Sequence, residues 1–122
     1  MSELNLRVLV VDDEPAIRRF LRAALTAHGN EVFEAATGLD ALSAVVAHRP
    51  DLIILDLGLP DLDGVEVTRR LREWTRIPII ILSVREGETD KIAALDAGAD
   101  DFVSKPLDKA QLVRRVKTML GL

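Results

Sequence analysis

Short apolar runs alternate along the chain with longer segments in which apolar residues recur at helical spacing. The short runs cover residues 6–11, 31–35, 52–55, 78–82 and 101–103. The runs at 52–55 and 78–82 are apolar without alternation, which is typical of strands that helices cover on both faces. We therefore predict a β-strand at each run, with parallel pairing between the strands.

Helices are predicted between the strands, because apolar residues recur there every three or four positions and residues that cap or stop helices flank them. The first helix begins near Pro15 and stops at Gly29, and the second covers 39–46 after Thr37. The third covers 65–74 after Asp63, and the fourth covers 92–97 after Thr89 or Asp90 and ends at Gly98. The last helix has the apolar stripe Leu112, Val116 and Leu120. These repeats use the whole chain. We predict one α/β domain over residues 1–122, a doubly wound parallel sheet with helices on both faces.

Composition and charge narrow the class of protein. A chain of 122 residues with 48% hydrophobic residues can form one well-packed core but not two full domains. The formal net charge of -4 argues against nucleic-acid contact by this domain, because a phosphate backbone needs a basic face. The lack of cysteine excludes disulfides and thiolate chemistry. Without a signal-peptide pattern or a run long enough to cross a bilayer, we expect a cytoplasmic protein with no membrane partner.

Chemically reactive side chains gather where the predicted strands end. The acidic run 12–14 follows the first strand, Asp56 follows the third, Ser83 the fourth and Lys105 comes shortly after the fifth. Ligands of such sheets bind outside the carboxyl ends of the strands, and a dinucleotide-binding fold would place a Gly-rich turn after the first strand instead of acids. Carboxylate oxygens are the ligands that magnesium prefers. The combination of acids, a hydroxyl and an ammonium at one edge indicates magnesium-assisted phosphoryl chemistry.

Each of these residues also has an ordinary structural explanation. Asp12 or Asp13 alone is equally well explained as the N-cap of the following helix. Asp61 and Asp63 are better explained by a turn and a helix cap than by metal binding. The serine alone would be an ordinary loop hydroxyl, and the lysine alone a surface residue in a turn. Capping does not explain why four strands each end in a chemically suited residue, so their joint placement favours the functional interpretation.

Several motifs then resemble a known family. They are residues 11–14 (Val-Asp-Asp-Glu), 55–64 (Leu-Asp-Leu-Gly-Leu-Pro-Asp-Leu-Asp-Gly), 82–83 (Leu-Ser), 97–102 (Ala-Gly-Ala-Asp-Asp-Phe) and 105–106 (Lys-Pro). Over essentially its whole length the chain resembles the receiver domains of two-component response regulators, in the winged-helix transcription-factor class. Residues 15–21 and 91–101 resemble most the regulators of Kdp potassium-uptake systems. The resemblance implies a flavodoxin-like sheet of five parallel strands in the order 2-1-3-4-5 with five helices.

The resemblance also implies a phosphoacceptor site. Asp56 would take a phosphoryl group from a phosphohistidine on a partner sensor histidine kinase, which makes an aspartyl phosphate. Mg²⁺ would be bound by Asp13, Asp56 and the backbone carbonyl of Gly58. Asp12 would act on the metal through a coordinated water. Such a domain catalyses its own phosphoryl transfer and dephosphorylation without being an enzyme in the usual sense.

Three further residues would respond to the phosphoryl group, and three positions depart from the family pattern. Lys105 would pair with the phosphate, the Ser83 hydroxyl would swing toward it as the switch, and Phe102 would move inward behind it. Val84 replaces a small residue, so we expect its methyl groups to narrow access to the phosphorylated aspartate. Phe102 lacks the hydroxyl of the frequent tyrosine, so only packing can hold it inward. Leu107 replaces a common phenylalanine.

The resemblance places a dimer surface on the fourth helix, the fifth strand and the fifth helix. Its residues are Lys91, Asp96, Asp101, Gln111, Arg115 and Lys117. Across a two-fold axis, Asp101 would pair with Arg115 and Asp96 with Lys117. Lys91 would face Gln111, which offers a hydrogen bond but no charge. We expect a weak homodimer that phosphorylation favours, with transcription regulated through a DNA-binding domain absent from this chain.

Other functions fit the sequence less well. A haloacid-dehalogenase-type phosphatase also phosphorylates an aspartate after a strand, but it needs a second aspartate two residues later, where this chain has Gly58. A flavin-binding module would need hydroxyls and amides after the first strand, where this chain has acids. A receiver kept only for docking would not need the complete set of acids, serine and lysine. A stand-alone receiver in a phosphorelay is the main alternative to a transcription regulator.

Overall fold

The computed structural model describes residues 6–84, 88–105 and 108–119, in which strands and helices alternate along the chain. The strands are β1 (Arg7–Val11), β2 (Glu31–Ala35), β3 (Leu52–Asp56), β4 (Ile79–Ser83) and β5 (Asp101–Ser104). The helices are α1 (Pro15–Thr26), α2 (Gly38–His48), α3 (Gly64–Arg72), α4 (Glu88–Asp96) and α5 (Lys109–Met119). In the part of the chain that the structure describes, no helix has the length and apolar character needed to cross a membrane.

The strands form one parallel sheet in the order β2-β1-β3-β4-β5, which confirms the predicted order. Alternate strand residues face opposite sides and build two separate cores. One core contains Leu9, Ile53, Ile81 and helix residues Ala41, Val45, Val67, Leu71 and Ala94, and the other contains Val10, Ile54, Ile80 and helix residues Leu21, Leu25, Leu112 and Val116. Helices α2, α3 and α4 therefore cover one face, while α1 and α5 cover the other.

Several predicted boundaries need correction. Strands β3, β4 and β5 each continue one residue further than the apolar runs, to Asp56, Ser83 and Ser104, because these polar residues still pair with the neighbouring strand. Helix α3 ends at Arg72 instead of residue 74. The prediction of Thr89 or Asp90 as the N-cap of α4 is wrong, because the helix already begins at residue 88. Polar residues continue a helix beyond its apolar stripe at little cost.

The predicted N-caps of two helices are confirmed. The Thr37 hydroxyl accepts a hydrogen bond from the Asp40 backbone N–H at the start of α2. The Asp63 carboxylate accepts one from the Val65 N–H at the start of α3. The predicted apolar residue Leu120, together with Pro106 and Leu107, lies outside the described residues.

The loop between β3 and α3, residues 57–63, is closed by a close backbone approach at Gly64. A Cβ atom on Gly64 would lie 2.5 Å from the Asp56 carbonyl oxygen and 2.7 Å from the Leu57 Cα. The Gly64 N–H also donates to the Leu57 carbonyl at 2.9 Å. Only glycine fits at this position without displacing the end of β3.

We predict that Gly64→Ala lowers the free energy of unfolding by about 1–3 kcal/mol, the usual range for forced overpacking. Gly58→Ala is the matched control, because a Cβ there would meet only the Asp56 Oδ2 at 3.8 Å, an ordinary contact. Urea denaturation of both variants and the parent measures the difference. Equal stability of the two variants would contradict the close approach.

Candidate functional site

Three carboxylates meet at the carboxyl edge of the sheet. Asp12 follows β1 and Asp56 ends β3, and each can contribute an oxygen to a group with Asp13 in which these atoms lie within 4.8 Å of one another. Asp12 is 1% exposed and Asp56 6% exposed, while Asp13 is exposed to solvent. The backbone N–H of Asp12 continues the sheet pairing by donating to the Ala35 carbonyl at 3.1 Å. Two of the three acids are therefore fixed by the sheet itself.

Lys105 lies between these acids. Its Nζ donates to the Asp12 Oδ2 at 2.8 Å and to the Glu14 Oε1 at 3.3 Å, and it lies 3.6 Å from the Asp56 Oδ1. The Lys105 side chain is only 7% exposed. A buried ammonium needs such anionic neighbours, and two buried carboxylates need a cation.

The charges at this site shift the pKa values of two groups. Burial raises the pKa of the Asp56 carboxyl, and the nearby Asp12 carboxylate raises it further, while Lys105 and a hydrogen bond from the Gly58 backbone N–H lower it in part. Burial lowers the pKa of the Lys105 amine, but the hydrogen bond and charge of Asp12, with the charge of Asp56, outweigh burial and raise it overall. Lys105 is therefore a firmly held cation. The burial of the Asp56 carboxylate and its repulsion by Asp12 are offset only in part by Lys105 and Gly58.

The donor set fits a hard divalent cation. The cluster of Asp12, Asp13 and Asp56 offers carboxylate oxygens, which suit Mg²⁺ better than softer metals. The three acids face one ammonium, so an additional positive charge would relieve repulsion among them. The predicted carbonyl ligand, Gly58, lies in the exposed turn two residues after Asp56.

The predicted switch residues lie on the two neighbouring strands. Ser83, 1% exposed, ends β4 and is paired in register with Ser104. Phe102, on β5, is half-buried and packs against the core under α2, α3 and α4. Val84, which is expected to narrow access to Asp56, is 67% exposed.

Some of the acids that could serve as helix caps do so in the structure, and others do not. Asp12 does not cap α1, because its Oδ1 accepts the Glu14 N–H and the N-cap position is occupied by Glu14 without a side-chain bond. Asp63 does cap α3, as predicted. Asp61 also caps a helix, but the helix is α2, whose Gly38 and Leu39 N–H groups donate to its carboxylate.

Sequence reasoning missed two contacts at the site. Glu14 was part of the acidic run without an assigned role, yet its carboxylate reaches Lys105. Arg18 of α1 donates from Nη1 to the Asp12 carbonyl at 2.7 Å and holds the backbone there. The spacing of Asp12 and Arg18, one helical turn into α1, is the only signal in the sequence for the second contact.

The predicted dimer surface is partly paired within the single chain. Arg115 of α5 donates from Nη1 to both carboxylate oxygens of Asp101 on β5, at 2.6 Å and 2.7 Å. Lys91, Asp96 and Lys117 are exposed and Gln111 is half-buried. Ile92 and Leu95 of α4 are exposed hydrophobic residues in the same region of the chain.

Residues 8–117 match the family model described as response regulator receiver domain. The KDP operon transcriptional regulatory protein KdpE of Escherichia coli (strain K12) is 57% identical over 113 residues, which are 93% of this chain and 50% of that protein. The transcriptional regulatory protein KdpE of Mycobacterium tuberculosis (strain ATCC 25618 / H37Rv) is 51% identical over 110 residues, which are 90% of this chain and 49% of that protein.

A solved structure with a similar fold is the receiver domain of the sensor histidine kinase PA1611 from Pseudomonas aeruginosa PAO1, which has a magnesium ion coordinated in its active site cleft. It is 32% identical, has a TM-score of 0.88 and covers 98% of this chain and 100% of its own. The present chain spans about half the length of the curated relatives that it matches.

We predict that Asp56→Asn stabilises the metal-free protein at pH 7. Because the Asp56 pKa is raised above its ordinary 3.8, the folded state binds the proton more tightly than the unfolded chain. The folding free energy that this carboxyl contributes is therefore lost as the pH rises from about 3.8 through the raised pKa. The gain from Asp56→Asn should be present at pH 7 and shrink toward acid pH, where the parent carboxyl also becomes neutral.

Urea denaturation in a chelating buffer between pH 5 and pH 8 measures this gain. Added Mg²⁺ should stabilise the parent more than the variant. A variant less stable than the parent at pH 7 would contradict the raised pKa of Asp56.

Proposed function

We propose, from the premise that the chain belongs to the response regulator receiver domain family, that it is a phosphorylation-controlled signalling switch. Asp56 accepts a phosphoryl group from a partner sensor histidine kinase. Because the chain covers about half of the matched relatives, regulation of transcription through a DNA-binding domain is also part of the proposal. The proposal also includes a cytoplasmic location for the protein.

The buried Asp56 carboxylate beside Lys105 is the observation that supports this proposal best. A carboxylate oxygen of Asp56 attacks the phosphorus of the donor, and a new O–P bond forms while the N–P bond of the phosphohistidine breaks. The electron pair of the broken bond stays on the imidazole nitrogen. The product is an acyl phosphate on this chain, so Asp56 is consumed in each transfer.

Asp13, Asp56 and the Gly58 carbonyl would hold Mg²⁺, with Asp12 acting through a water, and the ion would neutralise charge on the phosphoryl oxygens. Lys105 is already 3.6 Å from Asp56 and can pair with the added phosphoryl group without a large movement. Its bond to Asp12 keeps the ammonium in place before transfer. Water later releases the phosphoryl group at the same site, so the domain catalyses its own reset.

The switch would pass from the site to the surface along β4 and β5. The Ser83 hydroxyl moves toward the phosphoryl group, and Phe102 moves inward behind it. Phe102 is next to Asp101 on β5, so a shift of this strand also reaches the contact between Asp101 and Arg115. We place the phosphorylation-dependent homodimer on this surface of α4, β5 and α5.

Incubation with acetyl phosphate and Mg²⁺ tests the phosphoacceptor. The parent should gain one hydroxylamine-labile phosphoryl group by mass spectrometry, and Asp56→Asn should gain none, because the amide is not an anionic nucleophile. Asp63→Asn is the control, since asparagine also caps helices well and α3 stays in place. Undiminished labelling of Asp56→Asn would refute the assignment.

Sedimentation of the beryllofluoride-treated protein tests the dimer surface. Arg115→Asp should weaken dimerisation by about tenfold or more, because it places two carboxylates together where an opposite pair is needed. Arg114→Asp makes the same charge change at the preceding position of α5, which is exposed, and this variant should dimerise like the parent. Equal dimerisation of Arg115→Asp and the parent, with equal beryllofluoride occupancy, would exclude this surface.

A further inference from the structure

The side chain of Asp61 connects the loop between β3 and α3 to the start of α2 by hydrogen bonds. Its Oδ1 accepts the Gly38 N–H at 2.7 Å and its Oδ2 accepts the Leu39 N–H at 2.9 Å. The Oδ1 also accepts the Leu62 N–H at 2.8 Å. One carboxylate thus connects the loop to a helix that begins 23 residues earlier in the chain.

Two side chains share the capping of α2. The Thr37 hydroxyl accepts the Asp40 N–H at 3.1 Å, and the Thr37 carbonyl accepts the first helical bond, from Ala41. The N–H groups of Gly38 and Leu39 would have no partner in the helix, and Asp61 satisfies both. Helix α2 therefore has a local cap and a cap from a distant loop, of which only the second reaches the candidate site.

The approach of the loop to α2 requires the small size of Gly38. A Cβ atom there would lie 2.9 Å from both the Leu62 Cβ and the Val67 Cγ2, and 3.3 Å from the Asp61 Oδ1. Helix α2 itself is held by buried Ala41 and Val45 in the core. The attachment point of Asp61 is thus a rigid part of the fold.

The attached loop carries Gly58, three residues before Asp61. The Leu57 carbonyl accepts both the Leu59 N–H at 3.1 Å and the Gly64 N–H at 2.9 Å, so the chain turns tightly at Gly58 and closes at the start of α3. These bonds fix the two sides of the turn. Between Leu59 and Gly64, Leu62 packs against the core, and the Asp61 carboxylate adds the hydrogen bonds that hold this part of the loop to α2.

We propose that Asp61 is a positioning residue for the magnesium site, an inference that rests on the proposed function. By holding the loop to α2, it keeps the Gly58 carbonyl in place relative to Asp13 and Asp56. Mg²⁺ demands near-ideal octahedral geometry, so a ligand on a loosened loop binds it poorly. Residues that orient metal ligands without touching the metal commonly change affinity by 10–100-fold.

The alternative is that Asp61 only caps α2, and Thr37→Ala separates the two possibilities. Loss of either cap weakens the start of the same helix, but only loss of Asp61 releases the loop. Asp61→Ala removes both acceptor oxygens. Asp61→Asn keeps one oxygen and serves as the milder variant in case alanine prevents folding.

The experiment is a calorimetric Mg²⁺ titration of the parent, Asp61→Ala, Asp61→Asn and Thr37→Ala, with Asp13→Ala as the variant that loses a ligand. We expect about tenfold weaker binding for Asp61→Ala, an intermediate value for Asp61→Asn and a value within about twofold of the parent for Thr37→Ala. Hydrogen exchange on the metal-free proteins provides a second measurement. The amides of Leu59 and Gly64 should exchange faster in the Asp61 variants and not in Thr37→Ala.

The outcomes distinguish this inference from the proposed function. If the parent binds Mg²⁺ and Asp13→Ala does not, but the Asp61 variants bind it as tightly as Thr37→Ala, the positioning role is excluded and the phosphoacceptor stands. If the parent binds no better than Asp13→Ala, the proposed metal site itself is wrong. Weaker binding by the Asp61 variants alone, with faster loop exchange, supports the positioning role.

Discussion

The contact of one buried ammonium with two buried carboxylates determines how the carboxyl edge of the sheet is organised. Lys105 follows β5, the last strand, and its side chain reaches across β4 to Asp12, which follows β1, and to Asp56, which ends β3. Without this cation, Asp12 and Asp56 would be two negative charges in a low-dielectric site. With it, the edge still carries more negative than positive charge. The fold thus neutralises part of the charge at this edge, and the remaining negative charge favours the binding of a cation.

The two-core arrangement explains how a change at this edge can act on only part of the surface. Successive residues of β5 face different cores, so Phe102 packs on the side of α2, α3 and α4 while Val103 packs on the side of α1 and α5. The proposed movement of Phe102 would therefore repack the side of α2, α3 and α4 first. The other core, which contains Leu112 and Val116 of α5, can hold the back of the sheet in place during the change.

The fold was largely predictable because its strands are uninterrupted apolar runs and its helices have clear stripes and caps. The ends of the strands were less predictable, because Asp56 and Ser83 interrupt the apolar pattern while the sheet pairing continues through them. The meeting of the strand-end acids followed from the topology. Contacts such as that of Asp61 with α2 could not be predicted, because they depend on the path of a loop and not on any periodic pattern.

The contact between Asp101 and Arg115 within one chain has a consequence for the thermodynamics of assembly. Each charge already has a partner at 2.6 Å, so a two-fold assembly that pairs them between chains exchanges partners and does not add ion pairs. Exchange of equivalent bonds changes the enthalpy little. In the proposed dimer, burial of the exposed Ile92 and Leu95 would contribute to the driving force by releasing water. The contact between Asp101 and Arg115 would thus direct how the two chains align and contribute little to the strength of the proposed dimer.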